Sequence, residues 1–193
     1  MKEERNRIHP HKFTLWIGLA GIVMMFAGLT SAYIVKRNLA NWISFDLPKI
    51  FWYSTAIIIC SSLTVILSRN SFRQREMKQY RLWLAVTLVL GIAFVGMQYI
   101  GFSQLWHNGI TLTRNVSFSF LYVIVGLHAL HVIAGVIALM VILVKAFSIK
   151  RKNYSPVPID MMNTYWHFVD FLWIYLLVFL EMIRWLIMCW CDN

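Results

Sequence analysis

The chain has 193 residues, of which 60% are hydrophobic and only 13% charged, with a formal net charge of +10. So few charges, gathered in clusters between long apolar runs, exclude a soluble globular domain and point to a polytopic membrane protein. The positive balance would suggest nucleic acid in a soluble protein, but here the basic residues flank apolar spans, where the positive-inside rule accounts for them.

Five helices are expected, at about residues 13–35, 50–67, 82–105, 116–144 and 161–187, each with the roughly 20 residues a bilayer crossing requires. Period-two alternation is absent and open strands cannot span lipid, so the fold class is an all-α membrane bundle, read as a single transmembrane domain over residues 1–193. The first run is too long for a cleavable signal peptide and lacks a small-residue cleavage site. Asp46-Leu47-Pro48 closes the first connection, Arg69 to Arg81 reads as a basic loop, Trp106 to Asn115 as a short one, and Lys145 to Asp160 as one holding Pro156 and Pro158. Nine Trp and eight Tyr suit membrane interfaces.

Lys and Arg set the orientation. With the N-terminus inside, thirteen of the eighteen basic residues lie on the inner side, among them Lys12, Arg69, Arg73, Arg75 and Lys145. The expectation is N-terminus cytoplasmic and C-terminus periplasmic.

The intramembrane polar set is small: Gln98 on the third span, His128 and His131 on the fourth, and His167, Asp170, Glu181 and Arg184 on the fifth. His167 and Asp170 are three apart and share a helix face, as do His128 and His131. Asp170 lies about nine residues past the inner end of its span, roughly 14 Å deep. Three readings compete. The histidines could ligate haem or another metal, although two of the three sit on one helix and no acidic or cysteine cluster accompanies them. Asp170 and the histidines could form a proton relay or transport site. Or they could hydrogen-bond across helices, fixing the bundle or meeting lipid and partner subunits, which is the usual use of such side chains and the reading preferred here.

Glu181 and Arg184 read as a local, weak salt bridge. Gly18, Gly21 and Gly28 on the first span, and Gly126 and Gly135 on the fourth, would let another helix approach closely. Cys60 reads as a small packer, and Cys189-Trp190-Cys191 supplies too few ligands for a metal site. No motif for phosphate binding or nucleophilic catalysis occurs, and no internal repeat of the kind transporters carry.

Tyr165-Trp166-His167-Phe168-Val169-Asp170, followed by Trp173, resembles the last transmembrane helix of subunit III of haem-copper oxidases, the cytochrome c oxidase family. Gly126 to Gly135, with His128 and His131, is similar to that family's Gly-x-His-x-x-His-Val-x-x-Gly signature, and Gly91 through Gln98 to its Gly-x-x-Phe-x-x-x-Gln pattern. Ser61-Ser62-Leu63-Thr64 and the stretch from Ala27 to Tyr33 are weaker echoes. The resemblance runs over roughly residues 10–190 and fits the short, five-helix bacterial form that lacks the first two helices of the seven-helix members.

What the resemblance implies is an accessory subunit of a proton-pumping terminal oxidase in the bacterial cytoplasmic membrane, with no haem or copper of its own. It would pack on catalytic subunit I, assemble with subunit II and other small subunits, bind phospholipid between its helices and support proton uptake. Membership of a larger respiratory assembly stays open. Gln98, His128, His131, Asp160, Tyr165, Trp166, His167 and Asp170 would be the interhelical, lipid or subunit contacts, with Asp160 standing for the family acid that precedes the motif. Tyr165 and Val169 favour cytochrome c as electron donor, with a quinol oxidase as the alternative. A stand-alone transporter is the reading from another class. Two family glutamates are missing, their positions held by Ile22 and Gly101.

Overall fold

The computed structural model describes residues 10–36, 49–107, 116–147 and 156–191, with the side chains of residues 10, 11 and 186–191 outside the description. It contains five helices: α1 (Pro10–Lys36), α2 (Ile50–Arg73), α3 (Met77–His107), α4 (Val116–Phe147) and α5 (Val157–Cys191). All five are long and apolar enough to cross a membrane.

Each helix contains the corresponding apolar run and extends beyond it. Hydropathy marks where a chain meets hydrocarbon, whereas backbone hydrogen bonding continues into the interface, where polar side chains are solvated. The largest revision concerns the expected basic loop from Arg69 to Arg81. Most of it is helical, and three residues make the turn. The turn closes α2 in a Schellman motif. The Glu76 amide donates to the Ser71 carbonyl at 3.0 Å and the Arg75 amide to the Phe72 carbonyl at 3.1 Å, with Arg75 left-handed at φ 61°. Similarly, Pro158 and Asp160 belong to the first turn of α5. Proline is tolerated there because the first amides of a helix have no intrahelical partner.

Neighbouring pairs are α2–α3, α3–α4, α4–α5 and α5–α2, a closed ring of four helices. Helix α1 leans on α4 and α5 from outside and touches no other helix among the described residues. Helix α5 is the most enclosed of the five and α1 the least. The interior is apolar and aromatic in two adjoining clusters. One gathers Phe26, Phe51, Phe94, Leu121, Trp173 and Leu176; the other gathers Val65, Tyr80, Leu84, Leu139 and Trp166. Val136 and Tyr165 pack against both.

Glycines permit two of the closest approaches. A Cβ on Gly91 would stand 2.8 Å from the Trp166 ring, and one on Gly135 would stand 3.1 Å from it. The indole is thus bedded between α3 and α4. The expectation for Gly18, Gly21, Gly28 and Gly126 is not met within this chain, since an added Cβ at any of them meets nothing within 4 Å. These four lie on faces the ring leaves open.

Candidate functional site: a polar seam around the last helix

The side chains that matter lie along α5, and most reach out to a neighbouring helix. At its N-terminal end Asp160 accepts a hydrogen bond from Arg69 Nε at 2.7 Å. Lys12 Nζ stands 3.7 Å from its other oxygen and Arg73 3.8 Å from the first. One carboxylate therefore gathers three cations from α1 and α2. Arg69 and Arg73 are one helical turn apart, so both reach the same acid. Beside this group opens a cleft of about 220 Å³, lined also by Leu15, Trp16, Asn163 and Thr164.

Further along, Tyr165 donates its hydroxyl proton to the backbone carbonyl of His131 on α4 at 2.9 Å. Trp166 Nε1 donates to Ser61 Oγ at 2.9 Å, His167 Nδ1 pairs with Ser62 Oγ, and Trp173 Nε1 donates to Thr55 Oγ1 at 2.9 Å. Tyr175 OH meets Thr30 Oγ1 of α1 at 3.2 Å. Spacings of seven, as between Trp166 and Trp173, return to nearly the same face of a helix. Both indoles therefore look at α2, whose own hydroxyls recur at helical intervals.

Asp170 falls on this face, between Trp166 and Trp173, and is 4% exposed. Its carboxyl group lies near the Ser62 hydroxyl, which is already paired with His167. Gln98 is equally buried on α3. Its Nε2 donates to Ser54 Oγ at 3.2 Å and its Oε1 has no partner.

The histidines of α4 lie elsewhere. His128 is fully buried, stacked on Trp173 with ring centres 5.2 Å apart and flanked edge-on by Phe26 and Phe94. Neither of its ring nitrogens has a hydrogen-bond partner among the described residues. His131 donates from Nδ1 to the Leu127 carbonyl at 2.7 Å and sets its ring against Phe26. His128 and His131 thus share a face, as their spacing requires, while His167 is engaged on the α2 side. No group of three or more His, Cys, Asp or Glu side chains comes together among the described residues. The side chains of Cys189 and Cys191 lie outside them.

At the opposite end Arg184 and Glu181 form the expected local pair at 3.1 Å. Gly101 is closed off, because a Cβ there would lie 3.0 Å from Ile50 and 3.1 Å from the Phe51 ring. Ile22 packs against the aromatic core cluster. At the first of these positions, and in a different way at the second, this chain uses the space for apolar packing where the family pattern carries glutamate.

Sequence reasoning identified the α5 residues and missed their acceptors. Thr55, Ser61 and Ser62 are ordinary membrane-helix hydroxyls taken singly. The seven-residue spacing of Thr55 and Ser62, with Ser61 beside them, was the signal available.

The cytochrome c oxidase subunit III family matches residues 40–186. The chain is 31% identical to a probable cytochrome c oxidase subunit 3 of Nocardia farcinica, covering 87% of this chain and 85% of that one. It is 30% identical to the cytochrome bo(3) ubiquinol oxidase subunit 3 of Pseudomonas aeruginosa, over 84% and 79%. It is also 26% identical to the cytochrome c oxidase subunit 3 of Bacillus sp. strain PS3, over 83% and 80%. With its five apolar helices, this multi-pass protein of the bacterial inner membrane belongs to the subunit III family of haem-copper oxidases.

Proposed function

We propose that the chain acts as a structural, non-catalytic subunit of a terminal oxidase that couples oxygen reduction to proton translocation. It would pack on the haem- and copper-bearing catalytic subunit and assemble with subunit II and smaller partners. The supporting observation is the use of the α5 signature. Tyr165, Trp166, His167 and Trp173 spend their polar atoms on neighbouring helices of the same chain, as interhelical ties do. Haem and copper then belong to the partner subunits, and the electron donor is cytochrome c. The quinol alternative keeps one specific support, since relatives at similar identity include a ubiquinol oxidase subunit. The distribution of basic residues supports a cytoplasmic N-terminus and a periplasmic C-terminus.

The cleft at Lys12, Arg69 and Asp160 suits the phosphate of a bound phospholipid. It offers an excess of cations at the interface depth where Trp16 would meet headgroups. Lys12→Ala is expected to lower the amount of anionic phospholipid that copurifies with the complex.

The test of the main reading is purification in mild detergent through a tag on this chain, with mass spectrometry and a reduced-minus-oxidised spectrum. Haem absorption should travel with a large catalytic subunit and be absent from this chain once separated. A colourless single species that transports a solute would overturn the reading. Activity with reduced cytochrome c rather than with quinol would fix the donor, and the reverse would select the alternative.

A further inference from the structure

We propose that one buried water molecule bridges Ser68 of α2 and Asn163 of α5, in a cavity where α2, α3, α4 and α5 meet, and that it enters from the cleft beside Asp160. The cavity leaves about 10 Å³ in which the centre of a water molecule fits. That is about the lower bound for holding a single water. Its walls are mostly apolar, including Leu84 of α3, Ile142 of α4 and Met162 of α5.

Two polar atoms break that wall. Ser68 is 1% exposed, and its Oγ has no hydrogen-bond partner among the described residues. Asn163 Oδ1 is buried and equally without one. They do not bond to each other, although both side chains line the same cavity. A helical serine has a cheap alternative, which is to bond a carbonyl one turn back. Thr30, Ser54, Thr55, Thr64, Thr87 and Thr164 all do so here. Ser68 does not.

An unmatched hydroxyl and an unmatched amide oxygen in an apolar wall each carry the full cost of desolvation. A water donates and accepts, so it can satisfy both. It would complement the amide in either orientation of its oxygen and nitrogen. A metal cation fits less well, because two neutral oxygens fall far short of the six to eight that hard cations collect. Asn163 also forms part of the cleft wall with Arg69 and Asp160. It therefore borders both spaces, and its rotation is the route by which water would pass from the cleft to the cavity.

The experiment is an electron cryomicroscopy map of the purified complex, at a resolution that shows ordered waters. A peak within about 2.7–3.2 Å of both Ser68 Oγ and the Asn163 amide is expected. A clear map with both side chains ordered and no peak between them would overturn the proposal, as would a direct bond between the two. A thermal cycle on the same complex reads the coupling independently. Ser68→Ala and Asn163→Leu should each lower the melting temperature, and the double variant should lose less than the sum. Strictly additive losses would mean that the two side chains share nothing.

Discussion

Single atoms decide several positions in this bundle. Trp166 is the clearest, because its ring occupies the space that Gly91 and Gly135 leave by having no side chain. Gly91→Ala puts a methyl 2.8 Å from that ring, and overpacking of this kind costs about 1–3 kcal/mol. Gly21→Ala adds the same methyl to open space and should leave the fold of the chain unchanged. Thermal unfolding of the two variants side by side checks the contrast, and equal effects would show that the Trp166 bed is not the constraint. Asp170 is a different case. A buried carboxylate with so little polar company is expensive, so removing its charge should be tolerated. Asp170→Asn keeps shape without charge and should preserve assembly to within about 1 kcal/mol, while Asp170→Ala, which leaves a void, should weaken assembly. An Asn variant that failed to assemble, as seen on a native gel, would show that the charge itself is used. At this scale the sequence was informative where a residue is rare in lipid. The histidines and the aspartate stand out for that reason, while Thr55 and Asn163 are common enough to pass unnoticed until the helices are placed, and Ser61 and Ser62 stand out only as a weak family echo.

Elements add what single residues do not show. Besides the Arg69–Asp160 bond, helices α2 and α5 are tied by three side-chain hydrogen bonds to hydroxyls, at Thr55, Ser61 and Ser62. Such bonds between membrane helices average about 0.6 kcal/mol, because the separated helices also find partners. Replacing all three hydroxyls (Thr55→Val, Ser61→Ala, Ser62→Ala) should therefore cost about 2 kcal/mol, with the helices remaining inserted. A denaturant titration in mixed micelles measures this, and an effect below about 0.5 kcal/mol would demote the seam to incidental contact. The α2–α3 turn gives an effect of opposite sign. Arg75 holds a left-handed conformation that an L side chain adopts at a cost, so Arg75→Gly should stabilise the hairpin by about 0.5–1 kcal/mol. The turn was illegible beforehand, because a run of basic and polar residues looks the same to hydropathy whether it is loop or solvated helix. The five apolar segments were legible for the converse reason, since nothing but a membrane span explains such lengths.

At the scale of the whole molecule, the ring of α2 to α5 is closed by packing on every side, whereas α1 is held by α4, α5 and the charge cluster at Asp160. Helix order around the ring was not legible, because lipid-facing and protein-facing positions are both apolar and the helical periodicity is correspondingly faint. The exposed surface of the spans is rich in large apolar side chains, as in Trp16, Met24, Val89, Tyr99 and Phe171, which suits lipid and partner subunits alike. The end that holds Lys12, Arg69 and Asp160 therefore carries the main electrostatic constraint on where α1 sits. Arg69 and Asp160 are both partly exposed at the interface, so solvent screens the pair and its contribution is about 1 kcal/mol. Removing the acid alone does more than lose a bond. Asp160→Asn leaves Lys12, Arg69 and Arg73 facing one another, and their repulsion acts to push α1 from α2. The variant should loosen the N-terminal end of α1, read as faster cross-linking or labelling of a cysteine placed at Leu15. Adding Arg69→Gln relieves one of the three charges and should restore part of the protection. If labelling at position 15 were the same in wild type, single and double variants, the cluster would be a surface decoration and α1 would be positioned by its contacts with α4 and α5 alone.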